Sequence, residues 1–164
     1  MLTIILILQL LTGSGHHAKT GDPGFLGFHL GMKAPAALRQ EGKNPGALEH
    51  VKAHSGQRVI SDTVPVTDCK LTMRRSLGFD SAGMLTAVGL TYKTTPDRIK
   101  EARDCAYQWL SNTYGHSTDE AVRDSTKQVV WKLGSAQITL EAKGYNEKDF
   151  FVLIYYYKAG DTPQ

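Results

Sequence analysis

The amino-acid sequence predicts an α+β fold in which an antiparallel sheet of about six strands packs on one long helix and one short N-terminal helix. Residues 94–115 place apolar side chains at helical spacing, and the segments on both sides alternate between apolar and polar residues as strands do. A chain of 164 residues with 41% hydrophobic and 21% charged residues is ordinary for one globular domain. We therefore expect a single domain over residues 19–164.

The long helix is predicted over Pro96–Tyr114, with Thr95 as its N-cap and Gly115 as its C-terminal stop. One arc of this helix should be buried against the sheet, because its apolar residues recur every three or four positions. The residues of that arc are Ile99, Ala102, Ala106, Trp109, Leu110 and Thr113.

The strands divide into two meanders, one on each side of the long helix. A short strand at Phe25–Leu30 and a short helix at Ala34–Gln40 come first, and residues 116–127 are expected to form an exposed connection. The six longer strands are predicted at Arg58–Val66, Lys70–Phe79, Met84–Lys93, 129–133, Ala136–Ala142 and Phe150–Lys158. In the second of these, Arg75 is the one charged residue on the apolar side.

The last strand, Phe150–Lys158, is apolar or aromatic on both faces. Such a strand belongs in the middle of a sheet, or it presents its second face to a partner. The run Tyr155, Tyr156 and Tyr157 must send at least one ring to each side, and tyrosine is a common anchor at interfaces. We therefore predict an interaction surface at these three tyrosines.

Residues 1–18 are predicted to be an export signal. The run Leu2–Leu11 is apolar except for Gln9 and is too short to span a bilayer, and small residues follow it at Gly13 and Gly15. No Lys or Arg precedes the run, which leaves open the alternative of a buried first strand. A periplasmic or secreted domain without a stable membrane anchor is the expectation, since no lipid-anchoring Cys follows the apolar run.

The chain has two cysteines, Cys69 and Cys105. An exported chain meets oxidising conditions, and an even count leaves no unpaired thiol, so a disulfide between them is predicted. The alternative is a pair of buried thiols that act as small apolar groups.

The sequence lacks the common signatures of enzymes: no Gly-x-Ser-x-Gly elbow, phosphate-binding loop, dinucleotide fingerprint or Cys-x-x-Cys pair is present. His29, in an apolar segment beside glycines, is either a catalytic candidate or a structural histidine. His16 with His17, and His50 with His54 on a helical turn at Gly46–Ala53, are either metal ligands or solvated side chains. No catalytic, cofactor-binding or metal-binding residue is assigned.

Short motifs resemble those of small exported bacterial proteins, most of them uncharacterised. The opening Gly24–Met32 is similar to a "GF-x-G-x-x-x-GM" start, and Leu77–Leu85 is similar to an "x-F-x-x-G-x-L" hairpin. The pattern is similar to the helix-plus-antiparallel-sheet layout of β-lactamase-inhibitor-like proteins and of the small outer-membrane lipoproteins of barrel assembly. The resemblance implies an exported, non-enzymatic binding fold over residues 24–158 and transfers no catalytic residue.

The expected function is binding of a protein or a cell-envelope component without catalysis. A formal charge of +3 is too small to indicate nucleic-acid binding, which needs a concentrated basic stripe. Two alternatives stay open: a small exported hydrolase that uses His29, and a metal-binding module that uses the histidine pairs.

Overall fold

The structure, a computed structural model, describes residues 23–40, 50–52, 58–66, 70–123 and 126–161. These residues form an α+β fold with an eight-stranded antiparallel sheet and two helices. The helices are α1 (Ala34–Gln40) and α2 (Ile99–Tyr114). The strands are β1 (His50–Lys52), β2 (Arg58–Val66), β3 (Leu71–Phe79), β4 (Leu85–Thr94), β5 (Asp119–Arg123), β6 (Thr126–Leu133), β7 (Ala136–Gly144) and β8 (Phe150–Lys158).

Across the sheet the strands follow the order β1-β2-β3-β4-β8-β7-β6-β5. The chain leaves the middle of the sheet at the end of β4 and passes through α2 to the far edge at β5. It then returns strand by strand until β8 pairs with β4. The predicted antiparallel α+β class is confirmed, but the predicted number of strands is too low because β1 and β5 add two.

Both additional strands lie where the sequence indicated something else. His50–Lys52 forms β1, so the helical turn predicted there is wrong over these three residues. Asp119–Arg123 forms β5 inside the segment predicted to be a polar connection. Both strands are at the edges of the sheet, where each has one partner strand and needs little apolar periodicity.

The predicted strand at Phe25–Leu30 is instead a tight turn. Phe25 and Phe28 exchange two backbone hydrogen bonds of 2.8 and 2.9 Å, and the two residues between them, Leu26 and Gly27, have φ of 54° and 81°. Glycine adopts this conformation at little cost, and Gly27 therefore allows the chain to reverse here. The turn places both phenylalanine rings in the core.

The long helix starts three residues later than predicted. The Thr95 carbonyl accepts hydrogen bonds from the N–H groups of Arg98 and Ile99, so residues 95–98 form a turn that leads into α2. Because α2 begins at Ile99, Arg98 and not Thr95 occupies the N-cap position, and Arg98 makes no capping hydrogen bond with its side chain. Gly115 ends the helix with φ 84°, and its N–H donates to the Ser111 carbonyl at 2.9 Å.

The core lies between α2 and one face of the sheet. On the helix, Ala102, Ala106 and Leu110 are buried, whereas Thr113 is exposed and does not belong to the predicted arc. The facing residues of β8 are Val152, Ile154 and Tyr156. The Phe25 ring lies among Trp109, Tyr114 and Tyr156, with centroid distances of 6.2, 6.0 and 5.6 Å.

Arg75, the charged residue on the apolar side of β3, is only 4% exposed. Its guanidinium carbon lies 5.1 Å from the centre of the Phe28 ring, a distance at which a cation is attracted to an aromatic face. The turn at Phe25–Phe28 therefore supplies one contact of this buried arginine.

Candidate functional site

The second face of the sheet carries the residues that we consider as a functional site. Strand side chains alternate between faces, so Phe151, Leu153, Tyr155 and Tyr157 of β8 point away from α2. We call this side the outer face. Both helices contribute to the core on the opposite side, and Val130, Leu153 and Tyr157 are the buried apolar residues of the described chain that do not belong to that core.

Three aromatic residues of this region form what we call the aromatic patch: Tyr145, Phe151 and Tyr155. Tyr145 is 60% exposed and is the exposed large hydrophobic residue of the described chain. Its ring meets the Phe151 ring edge-on, with centroids 5.5 Å apart. Tyr155 lies two positions beyond the neighbouring outer-face residue, Leu153. The patch therefore combines one exposed ring with two half-buried rings.

The turn between β7 and β8 holds Tyr145 in place. The Asn146 side-chain oxygen accepts hydrogen bonds of 2.8 Å from the N–H groups of Lys148 and Asp149, and its amide donates to the Asp149 carboxylate at 2.7 Å. The Tyr145 N–H donates to the Asp149 carbonyl at 2.9 Å. The turn thus presents the Tyr145 ring on a fixed backbone.

Basic side chains border the patch. Lys143 lies opposite Phe151 in the ladder, and its Nζ is 5.2 Å from the centre of the Tyr145 ring. Lys93 lies opposite Phe151 on the other side and binds Asp149 at 2.6 Å. Hydrogen bonds from Lys93 and Asn146 hold the pKa of the Asp149 carboxyl below its usual range. The carboxylate form of Asp149 is therefore the one that fixes the turn.

Tyr155 occupies the middle of the outer face. In the row that crosses the sheet there, Gly89 of β4 and Thr139 of β7 are its two neighbours. A Cβ at Gly89 would lie 3.6 Å from the Tyr155 ring, so the ring packs directly over this glycine. Burial raises the pKa of Tyr155 to about 12, with smaller contributions from Tyr145 and Glu141. The phenol is therefore neutral at physiological pH.

Two buried polar side chains lie beside Tyr155. Glu141 accepts a hydrogen bond from the Gln128 amide. Thr139 is 1% exposed, and its hydroxyl has no hydrogen-bond partner among the described residues. A buried hydroxyl without a partner costs about 1–3 kcal/mol.

The structure separates the three tyrosines that were predicted to form an interaction surface. Tyr156 is fully buried on the helix side and packs against Phe25, so it is the ring that faces the core. Tyr157 points to the outer face but is buried. Only Tyr155 of the three keeps substantial exposure. Alternation along the strand is the reason, because adjacent side chains cannot share a face.

The aromatic patch includes two residues that sequence reasoning missed. Tyr145 belongs to a polar turn, and Phe151 is one of several apolar residues in β8. The available signal was the single large aromatic residue in an otherwise polar turn, GYNEKD. Turns are usually exposed, so a large aromatic ring in a turn indicates a surface that can contact another molecule.

Cys105 is disulfide-bonded, and its pairing with Cys69 stays a prediction. Cys105 is half-buried on α2, and Cys69 lies outside the described residues. Cys105 lines a cleft together with Lys70, the residue that follows Cys69 in the chain.

The histidines are not brought into a common site within the described part. His29 is exposed and follows the Phe25–Phe28 turn rather than lying in a strand. His50 belongs to β1, while His16, His17 and His54 lie outside the described residues. Over residues 23–40, 50–52, 58–66, 70–123 and 126–161, no three His, Cys, Asp or Glu side chains are grouped as metal ligands.

Comparison of the chain with protein-family models, with curated proteins and with solved structures finds no match. Neither α1 nor α2, the helices of the described residues, has the length and apolar character needed to cross a bilayer.

Proposed function

We propose that the protein is an exported, non-enzymatic binding module that takes a protein or a cell-envelope component on the aromatic patch. The observation that carries this proposal is the exposure of Tyr145 beside Phe151 and Tyr155, on the sheet face that neither helix covers. Tyrosine buries a large area at low cost in side-chain entropy, and it is enriched among the residues that dominate binding energy.

The surroundings of the patch support this role. Its rings are held by β8 and by a hydrogen-bonded turn, so little conformational entropy is lost when a partner binds. Lys143 borders the rings and adds a donor at the rim. The neutral Tyr155 phenol can both donate and accept a hydrogen bond.

Capture of envelope components with the mature domain tests the proposal. Tyr145→Ala should reduce retention of the partner about tenfold or more, because truncation of a central aromatic anchor costs about 2 kcal/mol or more. Lys148→Ala, an exposed change in the same turn, is the matched control and should retain the partner. Equal retention by wild type and Tyr145→Ala contradicts the proposal.

Export is a separate part of the proposal, with its own test. The expectation is a mature chain that begins within Ser14–Lys19, outside the described residues. N-terminal sequencing of the secreted or periplasmic protein should find such a start. Recovery of the protein only from the cytoplasm with Met1 intact would exclude it.

A further inference from the structure

A cleft on the helix side of the sheet has the features of a small-molecule site. It lies between the first turns of α2 and the ends of β3 and β4, and its volume is about 230 Å³. The lining residues are Lys70, Leu71, Tyr92, Thr94, Arg98, Glu101, Ala102 and Cys105. The cleft is on the opposite side of the sheet from the aromatic patch, so the two sites are independent.

Among the described lining residues, the bottom of the cleft is mostly apolar, and Thr94 adds a hydroxyl. Leu71 and Ala102 are buried, and Tyr92 is half-buried beside them. Thr94 is 9% exposed and lines the same cleft. Its hydroxyl is therefore a polar group that a small molecule in the cleft can reach.

The rim of the cleft carries two cations and one anion, all exposed: Lys70, Arg98 and Glu101. None of the three forms an ion pair with another described residue. Arg98 stands at the start of α2, where the helix dipole adds partial positive charge. The rim therefore attracts one negative charge, while Glu101 disfavours a second.

Lys70, one of the rim residues, has a strained backbone conformation. Lys70 has φ 51°, a left-handed conformation that costs a residue with a side chain about 1–3 kcal/mol. β3 begins at the next residue, Leu71, whose side chain lies in the cleft. The strained residue therefore joins the cationic rim to the apolar floor.

We propose that this cleft binds a small organic monocarboxylate. Lys70 and Arg98 take the carboxylate, the Thr94 hydroxyl donates to it or to a neighbouring oxygen, and a short apolar chain covers Leu71 and Ala102. Glu101 selects a single negative charge over the double charge of inorganic phosphate. Nothing in this assignment requires catalysis or the partner of the aromatic patch.

Titration of the full chain with sodium butyrate, sodium acetate and inorganic phosphate, at constant ionic strength, tests the site by amide chemical shifts. Butyrate should produce saturable shifts at Leu71, Thr94 and Ala102, and it should bind more tightly than acetate because its chain covers the apolar floor. Arg98→Ala should weaken butyrate binding about tenfold, as expected for a lost charged hydrogen bond. Thr94→Val should weaken it by a smaller factor, and this change keeps the shape of a buried side chain.

Lys100→Ala is the matched control, because it removes the same charge from the first turn of α2 at a residue that does not line the cleft. It should leave butyrate affinity unchanged. Equal weakening by Lys100→Ala and Arg98→Ala would show that Arg98 acts only by long-range electrostatic attraction, and the proposed binding site would then be wrong. Butyrate binding no tighter than acetate binding would overturn the apolar floor, and phosphate binding tighter than butyrate binding would overturn the carboxylate class.

Discussion

Thr139 is an outer-face residue whose buried hydroxyl has no hydrogen-bond partner among the described residues. Its neighbours on β7, Ile138 and Leu140, are core residues, whereas the Thr139 hydroxyl is buried without a partner among the described residues. Valine has the same branched shape and suits a strand equally well. The unpartnered hydroxyl should therefore lower stability relative to a valine at this position.

We expect Thr139→Val to raise the free energy of unfolding by about 1 kcal/mol, because it removes an unsatisfied buried hydroxyl. Urea denaturation measures the difference. Thr91→Val, at a half-buried threonine of the outer face on β4, is the control and should change stability less. A clear loss of stability in Thr139→Val would show that the hydroxyl has a partner after all.

Ionisation of Tyr155 makes the stability of the folded protein depend on pH at alkaline values. Its pKa is raised to about 12 in the folded protein, against an ordinary value near 10. The folded state therefore keeps the proton that the unfolded state releases between these two values. The resulting stabilisation is fully present below about pH 10 and is lost as pH rises toward 12.

The expected outcome is a steeper fall in stability between about pH 10 and pH 12 for the wild type than for Tyr155→Phe, since phenylalanine has no proton to lose. Thermal unfolding across this range measures the two slopes. An ultraviolet titration should also show that the tyrosinate with pKa about 12 is absent from Tyr155→Phe. Parallel stability profiles would contradict the assignment.

At the scale of elements, the turn between β7 and β8 is stabilised by the hydrogen bonds that its own side chains make. Asn146 accepts two backbone hydrogen bonds and donates a third to Asp149, as asparagine commonly does in turns. The Lys93 ion pair then ties this turn to β4. A turn and a neighbouring strand together fix the position of Tyr145.

Asn146→Ala should therefore lower partner capture while leaving the Tyr145 ring itself intact. It removes three hydrogen bonds at an exposed turn, and we expect a loss of about 1 kcal/mol in the free energy of unfolding. Capture by the variant, compared with Lys148→Ala in the same turn, measures the binding effect. Unchanged capture by Asn146→Ala would show that the turn does not position the patch.

The elements that the sequence predicted well are those with long periodic patterns. β2 and β8 have the predicted boundaries, and β3, β4 and β7 agree within two residues at each end. The start of α2 was missed because a Thr-Pro-Asp turn resembles a capped helix start. The aromatic patch was predicted only at Tyr155, because its other rings come from a turn and from a strand without a distinctive pattern.

At the scale of the whole molecule, the pairing of β4 with β8 could not be read from local patterns. These strands are separated by 55 residues between Thr94 and Phe150, and their partnership results from the order in which the second meander returns to the centre. The apolar residues on both faces of β8 suit a central position, but they do not identify the neighbouring strand. The choice of partner is therefore a property of the complete sheet and not of either strand.

The predicted bond between Cys69 and Cys105 would join α2 to the chain just before β3. Cys105 lines the cleft beside Lys70, while Cys69 lies outside the described residues. The bond would close a loop of about 36 residues and, if it is unstrained, stabilise the fold by about 3–4 kcal/mol through the entropy of the unfolded chain. It would also hold Lys70 near the start of α2, where the proposed carboxylate site needs it.

Thiol titration of the denatured, unreduced protein measures the bond directly, and no free thiol is the expected result. The variant with Cys69→Ser and Cys105→Ser should lose about 3–4 kcal/mol in the free energy of unfolding relative to the oxidised wild type. Reduced wild type is the control, because it removes the bond without changing a side chain and should lose a comparable amount. Two free thiols in protein purified from an oxidising compartment would exclude the bond, and α2 would then be held to β3 by packing alone.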